Sequence, residues 1–161
     1  MIFLRLNILT AIFIVLASCH VSSASKDTLI TTADVKPKPG IQFIEEDWEQ
    51  ALKTAKDKDK LIFLDIYATW CGPCKMLKQY TFTDSSVGEF FNKNFINVTV
   101  DGEKGVGPQL AEKYAIEGYP TLIVADETGK PVLITAGYIP SDVLMQFANE
   151  ALKRSGKKAS M

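Results

Sequence analysis

Leu61-Ile62-Phe63-Leu64-Asp65-Ile66-Tyr67-Ala68-Thr69-Trp70-Cys71-Gly72-Pro73-Cys74-Lys75 joins two different patterns in fifteen residues. Leu61 to Tyr67 is apolar at nearly every position, and Asp65 is its one acid. Continuous rather than alternating apolarity predicts a central strand buried on both faces. Cys71 to Tyr80 then reads as a helix, with Met76, Leu77 and Tyr80 on one face. Two cysteines therefore stand two residues apart where a strand gives way to a helix. That geometry suits a dithiol that opens and closes rather than one that staples.

A thiol attacks as its thiolate, and at pH 7 a thiol of pKa about 8.5 is only a few per cent ionised. Cys71, at the helix start, faces unsatisfied backbone N–H groups and the positive end of the helix dipole, which both favour the thiolate. Lowering the pKa by about 1.5 multiplies the thiolate roughly 15-fold but cuts its nucleophilicity roughly 6-fold. Exposure and substrate positioning must supply the remainder. Cys74 lies almost one helical turn on, and is expected on the same side and more buried, as the resolving thiol. Asp65 is a candidate base for Cys74 if the strand buries it, with a raised pKa; at an exposed strand edge it would have no such role. Its apolar flanks favour burial.

Upstream, Trp48, Ala51, Leu52 and Ala55 repeat at helical spacing, followed by the charged run Lys56 to Lys60, read as a solvated turn. Downstream, Val87, Phe90 and Phe91 mark a short helix and Phe95 to Val100 a second strand. Leu110, Ala111 and Tyr114 suggest a helix after Pro108, and Thr121 to Ala125 a third strand. The turn Asp126-Glu127-Thr128-Gly129-Lys130 is short enough to demand an antiparallel hairpin with a fourth strand, Val132 to Ala136. Ser141 is a plausible N-cap for a last helix carrying Val143, Leu144, Phe147, Ala148, Ala151 and Leu152. The order is α-β-α-β-α-β-β-α, an α/β fold whose central mixed four-stranded sheet is covered by helices on both faces.

With these elements placed, Asp65 to Met76 resembles the active-site segment of the thioredoxin family. Gly118-Tyr119-Pro120-Thr121 is similar to that family's loop bearing a cis proline, and Gly137 before the last helix also matches. Tyr80-Thr81-Phe82-Thr83-Asp84 further resembles the thioredoxin-like domain of transmembrane disulfide reductases and their exported relatives. The resemblance implies a thioredoxin-like fold over residues 41–153. It implies Cys71 as nucleophile, Cys74 as resolver, and Asp65 as the buried acid. Pro120 would be cis and face the disulfide, Tyr119 would pair its backbone with substrate, and Trp70, Gly72 and Pro73 would line the contact surface. On residues alone, Pro120 could equally be a trans turn proline and Trp70 a packing residue. One departure stands out. Thioredoxins often carry a lysine four residues before the acid that ends the next strand; counting back from Asp101 gives Asn97 here.

The N-terminus differs in kind. Arg5 precedes an apolar run from Ile8 to Ala17, of signal-peptide length and short for a membrane span. Leu16-Ala17-Ser18-Cys19 resembles a lipobox, making residues 1–18 the leader and Cys19 a lipidation site; a cut after residue 24 is the competing reading. Lipidation would tether the protein to a membrane. Residues 19–40, ending Lys36-Pro37-Lys38-Pro39-Gly40, read as a linker, and residues 154–161 as a basic, frayed tail. Of three cysteines, only Cys71 and Cys74 then remain. Export would place them where disulfides persist.

A hydrophobic share of 47%, a charged share of 23% and a net charge of −1 read as globular, with no general affinity for nucleic acid. No Gly-rich dinucleotide fingerprint is present and no cofactor is expected. Zinc normally takes four ligands, and two cysteines with no nearby histidine supply half, so no metal is expected unless two chains share one. The expectation is an exported protein-disulfide reductase acting on disulfide-containing exported proteins, supplied with electrons by a membrane thiol reductant. The alternatives are an exported oxidase or isomerase, and a binding module whose disulfide is static.

Overall fold

The structure is a computed structural model that describes residues 39–160. The leader, the Cys19 lipidation site and most of the 19–40 linker lie outside the described residues. The elements are β1 (Ile44–Glu45), α1 (Trp48–Lys58), β2 (Leu61–Tyr67), α2 (Gly72–Met76), a π-helical turn (Leu77–Thr81), α3 (Ser85–Asn94), β3 (Phe95–Asp101), α4 (Gly107–Lys113), β4 (Thr121–Ala125), β5 (Pro131–Ala136) and α5 (Ser141–Arg154).

The sheet has five strands, not four, in the order β1-β3-β2-β4-β5. The addition is β1, whose Ile44 and Glu45 pair in parallel with Val98 and Thr99. Two residues are too few to show any alternation, so this edge strand leaves no periodic signal. The run Leu61 to Tyr67 is the middle strand, parallel to β3 on one side and antiparallel to β4 on the other. Every residue from Leu61 to Ile66 is buried, as its continuous apolarity requires. The short turn after β4 returns the chain antiparallel as β5.

Odd and even positions of β2 feed two cores. Phe63 packs with Leu77, Phe82, Phe91 and Leu144 beneath the π-turn, α3 and α5. Ile62, Leu64 and Ile66 pack with Trp48 of α1 and Leu110 of α4 on the opposite face. Phe63 meets Phe91 edge-on with ring centroids 4.7 Å apart, so truncating it would cost about 3–5 kcal/mol. Asp65 has the parity of Phe63. It therefore lies on the face covered by the π-turn, beneath the helix that follows the cysteines.

Four local expectations change. The charged run Lys56 to Lys60 is not a turn throughout: Lys56, Asp57 and Lys58 are the last turn of α1, and only Asp59 and Lys60 leave the helix. The helix after the cysteines does not bury Met76, Leu77 and Tyr80 together: Leu77 is buried, while Met76 and Tyr80 are exposed. The π-helical turn lengthens the repeat from Leu77 onward, so Leu77 and Thr81 are the inward pair. Ser141 is the first helical residue of α5, not its cap; Pro140 takes the cap position and makes no side-chain capping bond. The basic tail is docked rather than frayed over its described part. Lys157 bridges to the Asp59 carboxylate, and Ser160 donates its backbone N–H to Asn94 Oδ1 at 2.7 Å.

Candidate active site

Cys71 is the N-cap of α2, and its Sγ accepts the backbone N–H of Cys74 at 3.1 Å. Gly72 and Pro73 fill the first helical positions, where proline's missing N–H leaves no bond unmade. The two cysteines are joined as a disulfide with Cα atoms 5.3 Å apart. Cys71 and Cys74 are 2% and 3% exposed, so burial does not separate them as expected. In the closed disulfide each sulfur covers the other. What separates them is position: Cys71 holds the cap and accepts a hydrogen bond from the helix, whereas Cys74 sits inside it.

Ala68, Cys71 and Cys74 form a small cluster against which Tyr67 and Tyr119 pack. The Tyr119–Pro120 peptide is cis, immediately before β4. Tyr119 meets Trp70 edge-on at 6.0 Å between centroids. Trp70 is 67% exposed, yet its indole is held by Glu103 on the loop after β3. Gly72 faces open space, with no atom within 4 Å of where a Cβ would stand. Tyr119 thus stands against the disulfide with Trp70 beside it, and Gly72 and Pro73 are exposed between the two cysteines.

Asp65 is buried, 1% exposed, on the face below α2. Thr99 Oγ1 donates to its Oδ2 at 3.0 Å, whereas Oδ1 has no hydrogen-bond partner among the described residues. Burial pushes its pKa up to about 6, against smaller opposing effects of the Thr99 bond and the positive charge of Lys78. A carboxyl poised there can take up or release a proton near neutral pH. Asn97 does not serve Asp65. Its amide donates to Gln42 O and Asn92 Oδ1, tying the lead into β1 to α3.

Sequence reasoning missed Thr99, Lys78 and Glu103. Thr99 follows from register, since it is the parallel partner of Asp65. Lys78 and Glu103 reach the site from a turn and a loop, where spacing carries no information. Among the described residues no group of three or more His, Cys, Asp or Glu gathers as a metal site, and no helix is long and apolar enough to cross a membrane.

The comparisons with known proteins bear on this geometry. Residues 48–152 match the family model described as a thioredoxin-like domain. The H-type thioredoxin of Fagopyrum esculentum is 32% identical over 106 residues, covering 66% of this chain and 85% of that protein. The thiol:disulfide interchange protein DsbD of Pseudoalteromonas atlantica is 33% identical over 89 residues, which are 54% of this chain and only 15% of DsbD. A solution structure from Bacteroides thetaiotaomicron, provisionally described as a disulphide isomerase, is 39% identical with a TM-score of 0.64, covering 71% of this chain and 95% of that one.

Proposed function

The chain belongs to the thioredoxin-like domain family, and from that premise we propose that this thiol–disulfide oxidoreductase works as a protein-disulfide reductase outside the cytoplasm. The observation that carries the reading is Cys71 at the helix cap, its Sγ receiving the Cys74 N–H and joined to Cys74 in the disulfide that a completed resolving step leaves.

In the reduced enzyme, the Cys71 thiolate attacks one sulfur of a substrate disulfide. A Cys71–substrate bond forms, the substrate S–S bond breaks, and the second substrate sulfur leaves as a thiolate that takes a proton. Cys74 then gives its proton to the Asp65 carboxylate, directly or through water, and attacks Cys71 Sγ. The mixed disulfide breaks, the Cys71–Cys74 bond forms, and the remaining substrate sulfur departs as a thiolate. Two electrons have passed from enzyme to substrate. Trp70, Gly72, Pro73 and Tyr119 would hold the substrate chain, with Pro120 offering no N–H and Tyr119 a strand-like backbone. Reoxidised enzyme needs a fresh pair of electrons, for which a membrane thiol carrier is the proposed donor.

The reduction potential of the 41–161 fragment against glutathione tests the direction. A value near the thioredoxin range of about −270 mV supports a reductase, and one near the strong-oxidant range of about −120 mV reverses it. An isomerase is the second reading, favoured by the 39% identity to the Bacteroides thetaiotaomicron protein. Refolding of a scrambled disulfide protein separates the two, since only an isomerase restores activity without net reduction. Anchoring through Cys19 is tested by detergent partitioning of the full chain. Cys19→Ser should move the protein to the aqueous phase, and unchanged partitioning rules the anchor out.

A further inference from the structure

The lysine that thioredoxins often carry near the buried acid has no counterpart at Asn97, yet Asp65 is not without a cation. Lys78 lies one helical turn beyond Cys74, inside the π-helical turn. Its ammonium rests over the Tyr67 ring, 3.3 Å from the centroid. Two hollows meet at this side chain. One, of about 310 Å³, is lined by Tyr67, Ala68, Cys74 and Lys78. The other, of about 390 Å³, is lined by Lys78, Phe82 and Thr99, the last being the hydroxyl that donates to Asp65.

We infer that Lys78 is the positioning cation of the resolving step: from the π-helical turn it stabilises the Asp65 carboxylate, keeping it able to accept the Cys74 proton. This rests on the proposed function and deepens it. The need is physical. Among the described residues Asp65 Oδ1 has no hydrogen-bond partner, and a buried carboxylate held by one hydroxyl is costly without an opposite charge. The other charged and titratable groups around it do not meet that need. Lys75 also lines the hollow beside Cys74, but it is exposed and is not among the charges that act on Asp65. Glu45, Glu46 and Asp101 are acids, and Asp101 is paired with Lys104 at 2.9 Å. Tyr67, on β2 itself, gives its hydroxyl to Glu46 at 3.2 Å, and burial, with Glu46 as the next cause, pushes its pKa up to about 12, so it stays neutral. Cys74 is the proton's source. Lys78 is the cation that acts on Asp65. Its ring contact with Tyr67 fixes where the charge sits, since the ammonium is drawn to the ring's negative face. Lys78 touches no substrate in this scheme and moves no proton. It sets the charge state of the group that does.

The test is a titration of the Asp65 carboxyl carbon by NMR in the oxidised wild type, Lys78→Met and Lys78→Arg, alongside the pH dependence of mixed-disulfide resolution. Lys78→Met keeps most of the stem and removes the charge. Its Asp65 midpoint should rise by about half a pH unit. Its resolving rate should fall about two- to threefold at pH 6 and match wild type at pH 8, where the carboxyl is ionised either way. Lys78→Arg should restore both. Lys78 is exposed, so the variants are expected to fold, and their backbone amide spectra check it. Coincident Asp65 midpoints in wild type and Lys78→Met would overturn the assignment, as would a rise that Lys78→Arg shares. The titration needs no turnover. A wild type that reduces no disulfide would retire the proposed function while leaving the midpoints to be read.

Discussion

Trp70 gives its indole Nε1–H to both carboxylate oxygens of Glu103, each at 3.0 Å. A side chain that is 67% exposed at the rim of a disulfide would ordinarily sample several rotamers. Here a residue 33 positions away holds it beside Tyr119. Glu103→Ala should leave stability within about 0.5 kcal/mol, because both partners are at the surface. It should raise KM for a protein disulfide about two- to fivefold with little change in kcat, because the rim loses its fixed shape. Steady-state kinetics on a model disulfide protein check this. A KM equal to wild type would mean Trp70 needs no anchor.

The two cysteines are almost equally buried, so their roles must be separated by chemistry. Cys71→Ser should abolish reduction of a protein disulfide. Cys74→Ser should still attack, and then accumulate a mixed disulfide that gel shift and mass spectrometry can follow. Equal residual turnover in the two variants would sink the assignment of nucleophile and resolver.

Gly102 stands under Tyr119, where an added Cβ would come within 2.6 Å of the phenol oxygen. Gly102→Ala should push the ring aside from Trp70 and the cysteine cluster, a shift of a side chain rather than of backbone. The loss of stability should be under about 1 kcal/mol. The backbone bond from Gly102 N–H to Tyr67 O, at 2.7 Å, survives the change. Activity should fall several-fold on a protein substrate, which needs the Tyr119 wall, and hardly at all on a small aromatic disulfide. Equal effects on both would place the damage at the cysteines instead.

The central strand and the dithiol were legible because each leaves a local mark. Seven residues of near-continuous apolarity report burial on both faces, and Cys-Gly-Pro-Cys lies wholly within one turn. Asp65 was legible for the same reason, as the one acid in that run. The remainder of the site is assembled across distance. Thr99 reaches Asp65 through strand register, Glu103 reaches Trp70 from a loop, and Lys78 arrives on a helical turn whose period departs from 3.6. The same departure turns Tyr80 to solvent, whereas Met76 precedes it and faces out because Cys74 and Leu77 take the inward positions of the helix. A two-residue strand such as Ile44–Glu45 exists because β3 offers it an edge, which only the folded sheet reveals.

Asp65 makes a prediction about stability whose sign is opposite to that of most carboxylates. Its pKa is about 6 in the fold against an ordinary 3.8, and the first cause is burial. Between those values the folded protein binds the proton that the unfolded chain has released. Stability from this group is therefore fully present below 3.8 and is lost as pH rises through 6. The full difference corresponds to about 3 kcal/mol, of which about 2 kcal/mol falls between pH 4.5 and pH 8. Asp65→Asn keeps the shape and an oxygen that Thr99 can reach, but does not titrate. Whatever fixed cost its extra N–H groups bring is the same at both pH values and cancels. Denaturant unfolding at pH 4.5 and 8 should show the variant gaining about 2 kcal/mol on wild type at the higher pH. Parallel pH dependences would mean that Asp65 titrates in the fold as it does in the unfolded chain, and that the resolving thiol must find its base elsewhere.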